Sequence, residues 1–202
     1  MPNSNKLKPF HRLPCEELSQ IQSEVIGWIN SNRPDILTSD HLWNKCDTAE
    51  LVRASTSLVS WCHGYGLKIK ELAVTVVNKP GAVGLHIDEL PVTAKINIPI
   101  QNTHNSYNRW YNIPKKTMDS CEPIVNMFGN KFYYFKNIDY SKLEIIDEVE
   151  LTEPIVFNSQ IAHNIVIGEN CKMPRVVLAC TFFNEPKHFL QTDSDYKSSI
   201  SL

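Results

Sequence analysis

A chain of 202 residues can build one sizeable hydrophobic core and is short for two ordinary domains. Its residues are 42% hydrophobic and 21% charged, a balance that excludes an extended disordered polymer. The net charge of −2 gives no broad positive surface, which disfavours nucleic acid as a partner. No apolar run is long enough to cross a membrane, and the opening residues lack the apolar stretch of a secretory signal. The six cysteines are scattered with no CxxC pair, and without a secretory signal we expect free buried thiols in a cytoplasmic protein.

Two amphipathic helices are predicted in the N-terminal part of the chain. Apolar residues recur at helical spacing from Leu18 to Trp28 in the first. The second is predicted from Thr48 to about Cys62, with Asp47 as its N-cap and the sequence HGYG as its end. Both have one apolar face, so both need a surface on which to pack.

From residue 67 onward the hydrophobic period changes from that of a helix to that of a strand. The segments are rich in Val, Ile, Phe and Tyr and are bounded by Gly, Pro and Asn. They are LKIKELAVTVVN, VTAKINIPI, NKFYYFKN, LEIIDEVEL, PIVFN and RVVLACTFF. Many short strands favour a sandwich or barrel-like β core, on which the two helices can pack.

Three side chains in the strand region are candidate metal ligands. His86 and Asp88 are two residues apart in a predicted strand, so they point to the same face. His163 follows another apolar strand and a short turn. Two histidines and one carboxylate occupy one face of an octahedral iron(II) ion and leave three positions open. A structural zinc site would instead be closed, usually by cysteines.

A buried cation is predicted on the last strand. Arg175 opens RVVLACTFF and shares one strand face with Val177 and Ala179. An arginine on an apolar face is costly unless it meets an anion, and its planar fork suits a carboxylate. A dicarboxylate can therefore chelate the metal at one end and meet Arg175 at the other.

The HxD pair, the distal His163 and the arginine on the following strand resemble the iron(II)/2-oxoglutarate-dependent oxygenase superfamily, over residues of about 67–185. The segment KINIPIQNTHNSYNRWY is also similar to small oxygenases of this superfamily, including those of bacteriophages. The resemblance implies a mainly β fold, the double-stranded β-helix or jelly roll, with flanking N-terminal α-helices. It implies a single oxygenase domain over residues 1–202, with helical support at about 14–63 and a mobile polar tail at about 191–202.

The resemblance also implies a reaction. Iron(II) would be held by His86, Asp88 and His163, which are then the catalytic residues, and Arg175 would anchor 2-oxoglutarate as co-substrate. Molecular oxygen would convert 2-oxoglutarate to succinate and carbon dioxide while a C–H bond of the substrate is hydroxylated. The substrate class expected is an amino acid, or a residue in a peptide or protein.

Two departures from the family pattern matter. Many members carry Ser or Thr two residues after the arginine, where this chain has Val177, so another hydroxyl must assist. The candidates are Tyr107, Tyr111 and Tyr133. Members that demethylate nucleic acids carry a second arginine six residues after the first, where this chain has Thr181, and this argues against alkylated-base repair.

Other polar residues in the strand region have two interpretations each. In VTAKINIPI, Lys95 is predicted to lie on a solvated face, whereas Asn97 can point into the barrel and bind the co-substrate. Arg109 and Trp110 lie in a polar, aromatic segment that is either an ordinary surface loop and strand or a lid, in which case they are candidate substrate contacts.

Two alternatives to a 2-oxoglutarate oxygenase stay open. One is a metal enzyme on a cupin-like barrel that does not use 2-oxoglutarate, in which Arg175 binds another anion. The other is a non-catalytic jelly-roll binding module, because a fold does not guarantee chemistry. Succinate formation separates the oxygenase from both alternatives. The sequence does not determine the oligomeric state.

Overall fold

The computed structural model describes residues 7–88, 92–118, 121–125, 131–136 and 138–191. The tail expected to be mobile therefore lies outside the described residues from position 192 onward. Twelve strands lie within the described ranges. In chain order they are β1 (Phe10–Arg12), β2 (Trp43–Lys45), β3 (Ile69–Val77), β4 (Gly81–Asp88), β5 (Ala94–Gln101), β6 (Ser106–Asn112), β7 (Glu122–Val125), β8 (Lys131–Tyr134), β9 (Glu144–Glu150), β10 (Ile155–Asn158), β11 (His163–Ile167) and β12 (Arg175–Phe182).

The strands form two six-stranded antiparallel sheets. The spatial order is β1-β10-β5-β12-β3-β2 in the first sheet and β7-β8-β4-β11-β6-β9 in the second. From β3 to β6 and from β9 to β12, consecutive strands alternate between the two sheets. This interleaving is the jelly-roll topology, in which two sheets wind around one interior. The prediction of a mainly β jelly roll with flanking N-terminal helices is confirmed.

The helices precede most of the strands. They are α1 (Leu18–Asn32), α2 (Thr48–Ala54), α3 (Thr56–Gly64) and the short α4 (Lys115–Met118), with single 3-10 turns at Pro34–Thr38, Tyr140–Lys142 and Lys187–Leu190. Within the described ranges, no helix is long and apolar enough to span a membrane. The predicted N-cap is confirmed, because the side chain of Asp47 accepts a hydrogen bond from the backbone N–H of Glu50 at 2.9 Å.

The prediction of a single helix from Thr48 to about Cys62 is wrong, because the helix is interrupted at Ser55 and forms two helices, α2 and α3. The carboxylate of Glu24, on α1, accepts hydrogen bonds from the hydroxyl of Ser55 at 2.8 Å and the hydroxyl of Ser57 at 2.9 Å. It also accepts one from the backbone N–H of Ser57 at 3.2 Å. A residue distant in the sequence thus provides the first turn of α3 with the capping oxygen that no local side chain supplies.

The first sheet separates two hydrophobic clusters. On its outer face, Ile96, Ile98 and Leu178 are buried in one cluster with Val25 and Ile29 of α1. Full burial of each such side chain stabilises the fold by about 1.5–3 kcal/mol. On the inner face, a second cluster between the sheets contains Trp110, Val149, Ile155, Phe157 and Val177. Because side chains alternate along a strand, the residues adjacent to the outer cluster point into this interior.

Candidate metal centre and anion site

His86 and His163 lie side by side between the sheets. His86 is on β4, His163 opens β11, and the two are register partners in the antiparallel ladder. Their ring centroids are 4.4 Å apart. The ring of Phe157, from the first sheet, meets His163 edge-on with the centroids 5.3 Å apart. Both histidines are buried, so the pair faces the interior of the jelly roll.

A backbone carbonyl orients each ring. Nδ1 of His86 lies 3.0 Å from the carbonyl oxygen of Gly84, and Nδ1 of His163 lies 2.8 Å from that of Ile161. A carbonyl can only accept, so Nδ1 carries the proton and Nε2 keeps its lone pair. Metal-binding histidines are commonly held in this way, with one nitrogen on a carbonyl and the other on the metal.

The protonation states also suit metal binding. Burial, together with the neighbouring His86, lowers the pKa of His163 to about 3. Burial likewise lowers the pKa of His86 below its ordinary value, despite the nearby Asp88. Both rings are therefore neutral at physiological pH, the form that binds a metal ion.

Asp88 shares the strand face of His86, and its backbone is fixed by two hydrogen bonds. Its N–H donates to the carbonyl oxygen of Ser159 at 3.0 Å, and its own carbonyl oxygen accepts from Nε2 of Gln160 at 2.9 Å. Burial raises the pKa of the carboxyl, but Lys95 and the two histidines outweigh it and the net pKa is lowered. The side chain is thus a buried, ionised carboxylate.

The prediction that Lys95 lies on a solvated face is wrong. Its ammonium forms an ion pair with Oδ2 of Asp88 at 2.8 Å, and its side chain is 15% exposed. Among the described residues, no group of three or more His, Cys, Asp or Glu side chains is gathered as a metal site. The structure brings the two histidines together, whereas the Asp88 carboxylate is engaged by Lys95. The chemistry of the donor set, two neutral imidazoles and one carboxylate, nevertheless fits iron(II).

Arg175 is fully buried at the start of β12. Its Nε donates to the hydroxyl oxygen of Ser106 at 2.5 Å, but neither Nη1 nor Nη2 has a hydrogen-bond partner among the described residues. Burial lowers the pKa of the guanidinium to about 10, so it is still charged at neutral pH. A buried guanidinium with two unpaired donor nitrogens fits a carboxylate ligand.

Ser106 is the hydroxyl that the sequence did not indicate. None of the three candidate tyrosines takes its place: Tyr111 donates to Oδ1 of Asn164 at 3.3 Å, and Tyr133 packs in a cluster with Ile87 on the outer face. Tyr107 follows Ser106 on β6 and therefore points to the opposite face. A serine at this position has no recognisable sequence signal, because only the winding of the two sheets places β6 opposite β12.

Buried polar atoms without partners among the described residues lie between Arg175 and the two histidines. Ser106, Asn108 and Trp110 share the inner face of β6, where Trp110 is the register partner of His163. Oδ1 of Asn108 and Nε1 of Trp110 are buried without a partner in the described structure, as is Oδ1 of Asn97. Buried polar atoms normally have partners, so this row of atoms suits a polar ligand lying between Arg175 and the histidines.

The side chains of the two candidate substrate contacts, Arg109 and Trp110, have different surroundings. Arg109 forms an ion pair with Glu148 of β9, and both side chains are partly exposed. Trp110 is fully buried and stacks on Phe10, with the ring centroids 5.3 Å apart. Strand alternation sends adjacent residues to opposite faces, so these two side chains point to opposite sides of β6. Their roles in substrate binding stay predictions.

Two solved structures are similar to the chain. AviO1 from Streptomyces viridochromogenes Tue57 is 13% identical with a TM-score of 0.48, covering 90% of this chain and 93% of that one. A prolyl-4-hydroxylase from Pseudomonas putida is 12% identical with a TM-score of 0.40, covering 88% and 89% respectively. No protein-family model and no curated protein sequence matches the chain. The function must therefore be inferred from the side chains described above.

Proposed function

We propose that this protein is an iron(II)- and 2-oxoglutarate-dependent dioxygenase that hydroxylates a C–H bond of an amino acid or of a residue in a peptide or protein. The proposal is supported above all by the surroundings of Arg175. Its buried guanidinium has two donor nitrogens without a partner in the described part of the chain, and it lies in the same interior as the adjacent neutral histidines His86 and His163. A ligand with a metal-chelating end and a distal carboxylate meets the needs of both groups at once, and 2-oxoglutarate is such a ligand.

Each residue has a distinct role in this proposal. His86, His163 and Asp88 would hold the iron, and the carbonyl oxygens on the two Nδ1 atoms keep both rings oriented. When bound, iron(II) supplies the oxygen activation by which one oxygen atom enters succinate and the other enters the product. Arg175, with Ser106 on its Nε, would bind the distal carboxylate of 2-oxoglutarate.

The walls of the interior would orient the co-substrate and exclude water. Phe157 and Trp110 are buried beside His163, and they supply an apolar wall next to the metal ligands. Asn108 and Asn97 offer buried amide oxygens without partners in the described ranges, and each can orient a polar group of the ligand. We therefore retain Asn97 as a co-substrate contact.

The proposed substrate class rests on charge. The net charge of −2 and the presence of Thr181 in place of a second arginine disfavour a nucleic acid. All six cysteines are free, which supports a reducing, cytoplasmic setting. Amino acids, free or within peptides, are therefore the first compounds to test, with molecular oxygen as the second co-substrate.

Substrate-coupled release of succinate tests the proposal. Free and peptide-borne amino acids are incubated with the iron-loaded protein, 2-oxoglutarate and oxygen, and the product is examined by mass spectrometry for a gain of one oxygen atom. His163→Ala is expected to abolish coupled turnover, whereas a matched substitution of an exposed histidine, His63→Ala, is expected to leave it unchanged. Turnover without consumption of 2-oxoglutarate would favour a cupin-like metal enzyme. Coupling with single-stranded DNA or RNA alone would overturn the substrate class.

A further inference from the structure

The Asp88–Lys95 ion pair crosses the interior of the jelly roll. Asp88 ends β4 in the second sheet and Lys95 lies on β5 in the first. The side chains are 6% and 15% exposed, so both charges have lost most of their hydration. A buried ion pair contributes little net stability because desolvation offsets the attraction between the charges. Its place beside two candidate metal ligands therefore calls for a reason other than stability.

The ion pair with Lys95 sets the orientation of the Asp88 carboxylate, which the backbone hydrogen bonds of Asp88 leave free. The hydrogen bonds to Ser159 and Gln160 hold the main chain of Asp88 on both sides. The orientation of the carboxylate is left to its own contacts, and Lys95 binds one of its two oxygens, Oδ2. The ammonium is held from a second direction by the ring of Trp43, 6.0 Å from the ring centroid.

We propose that Lys95 is a positioning residue that retains Oδ2 and thereby makes Asp88 a ligand through Oδ1 alone. This inference rests on the oxygenase function proposed above. A carboxylate can bind a metal ion through one oxygen or both. With two histidines and one oxygen, an octahedral ion keeps three open positions, enough for the two ligand atoms of 2-oxoglutarate and for oxygen. A second oxygen from Asp88 would take one of those positions.

The inference predicts an unusual separation of two affinities in Lys95→Met. The buried carboxylate loses its ammonium partner, so a divalent cation binds at least as tightly as in the parent protein. Both oxygens become free to bind the metal, so 2-oxoglutarate must displace one of them and binds about 10- to 100-fold more weakly to the metal-loaded variant, a range equal to that by which loss of an outer-shell residue changes metal affinity or activity. A purely structural role would weaken both together.

The experiment uses Co²⁺ as a spectroscopically visible substitute for iron(II). The visible spectrum of the Co²⁺-loaded full chain reports the ligand number, and calorimetry gives the affinities for Co²⁺ and then for 2-oxoglutarate. Lys95→Met is compared with the parent protein and with Lys136→Met, which breaks an exposed ion pair with Glu122 and is expected to change nothing. The expected result for Lys95→Met is retained Co²⁺ binding, an altered Co²⁺ spectrum and weakened 2-oxoglutarate binding.

Three other outcomes overturn the inference. If Lys95→Met binds Co²⁺ more tightly with an unchanged spectrum and unchanged 2-oxoglutarate affinity, Lys95 merely neutralises the metal-free site. If both affinities and the melting temperature fall together, Lys95 is structural. If the parent protein binds neither Co²⁺ nor 2-oxoglutarate, the proposed function itself fails, and the ion pair has no metal ligand to orient.

Discussion

Arg175 and Ser106 meet inside the jelly roll although 69 positions separate them in the sequence, and Nε of the arginine donates to the serine hydroxyl at 2.5 Å. The bond joins β12 of one sheet to β6 of the other. It satisfies one of the three nitrogens of the guanidinium and leaves Nη1 and Nη2 without partners among the described residues. The arginine is thus held in place with its two terminal nitrogens available to a ligand.

Replacement of Ser106 by alanine should affect both stability and co-substrate binding. The buried Nε of Arg175 loses its acceptor, which should lower the free energy of unfolding by about 1–3 kcal/mol. Binding of 2-oxoglutarate should weaken because the guanidinium is no longer oriented. Thr75→Val is the matched control, since it removes a buried hydroxyl that bonds only the carbonyl oxygen of Val177, at 3.3 Å, among the described contacts. Calorimetry should show weaker 2-oxoglutarate binding in Ser106→Ala and no change in Thr75→Val.

Arg175→Met should stabilise the protein and impair binding. Without a ligand, the buried guanidinium lacks an anionic partner in the described structure, so an apolar side chain of similar length should raise the free energy of unfolding, since relief from burying an unpaired charge outweighs the lost hydrogen bond to Ser106. The same change should weaken 2-oxoglutarate binding by about 2–5 kcal/mol. Chemical denaturation and calorimetry measure the two effects. Arg12→Met, which removes an exposed ion pair with Glu153, should alter neither by more than about 1 kcal/mol. A large loss of stability in Arg175→Met would mean that the guanidinium has a structural partner.

Acid should destabilise the metal-free protein through its two buried histidines. In the unfolded chain they bind protons below about 6.5, whereas the folded state keeps His163 neutral down to about 3. The unfolded state therefore binds more protons in this window, and the free energy of unfolding should fall by about 1.4 kcal/mol per pH unit through His163 as the pH drops. The lowered pKa of His86 acts in the same direction. The lowered pKa of Asp88 places its own contribution below pH 3.8.

One variant measures this pH effect. Denaturation of the chelator-treated protein between pH 4 and 7 should give a smaller slope in His163→Gln than in the parent protein. Equal slopes in the two proteins would mean that His163 is not held neutral by burial.

Two tryptophans offer a test of the unpaired atoms in the interior. Nε1 of Trp61 donates to the carbonyl oxygen of Pro14 at 3.0 Å, whereas Nε1 of Trp110 has no partner in the described residues. Trp61→Phe should therefore lower the free energy of unfolding by about 0.5–1.5 kcal/mol more than Trp110→Phe does, since the carbonyl oxygen of Pro14 still accepts from the hydroxyl of Tyr65. If Nε1 of Trp110 instead contacts the bound co-substrate, Trp110→Phe should weaken 2-oxoglutarate binding while stability is retained. Equal losses of stability would indicate that Trp110 has a structural partner.

Much of the fold follows from local pattern. The six period-two segments correspond to β3, β5, β8, β9, β10 and β12, in which successive side chains alternate between two faces. Val74 and Ile96, for example, lie on the helix-covered face, and their neighbours in the strand point into the interior. The strands β1, β2 and β7 were not predicted, since FHR, WNK and EPIV show no alternation of apolar and polar residues. The longer β6 was interpreted as a surface segment or lid, because SYNRWYN is largely polar. The break at Ser55 also escaped prediction, because its cause is the carboxylate of Glu24 on another helix.

The candidate site divides in the same way. The spacing of His86 and Asp88 predicts that they share a strand face. The apolar neighbours of Arg175 predict that its charge is buried and needs an anionic partner. The contacts of Lys95 and Ser106 do not, because each reaches across the interior to a strand of the opposite sheet. Such cross-sheet contacts depend on how the two sheets are staggered, which no local sequence signal specifies.

The central claim is that His86, Asp88 and His163 bind iron(II) and present it to 2-oxoglutarate. Anaerobic titration of the protein with iron(II) and then 2-oxoglutarate tests it most directly, by the visible charge-transfer absorption of the chelated metal. The parent protein and His63→Ala should bind iron stoichiometrically and develop the band, while His86→Ala and Asp88→Ala should lose both. Absence of the band in the parent protein, or full iron binding with an unchanged band in His86→Ala and Asp88→Ala, would contradict the claim.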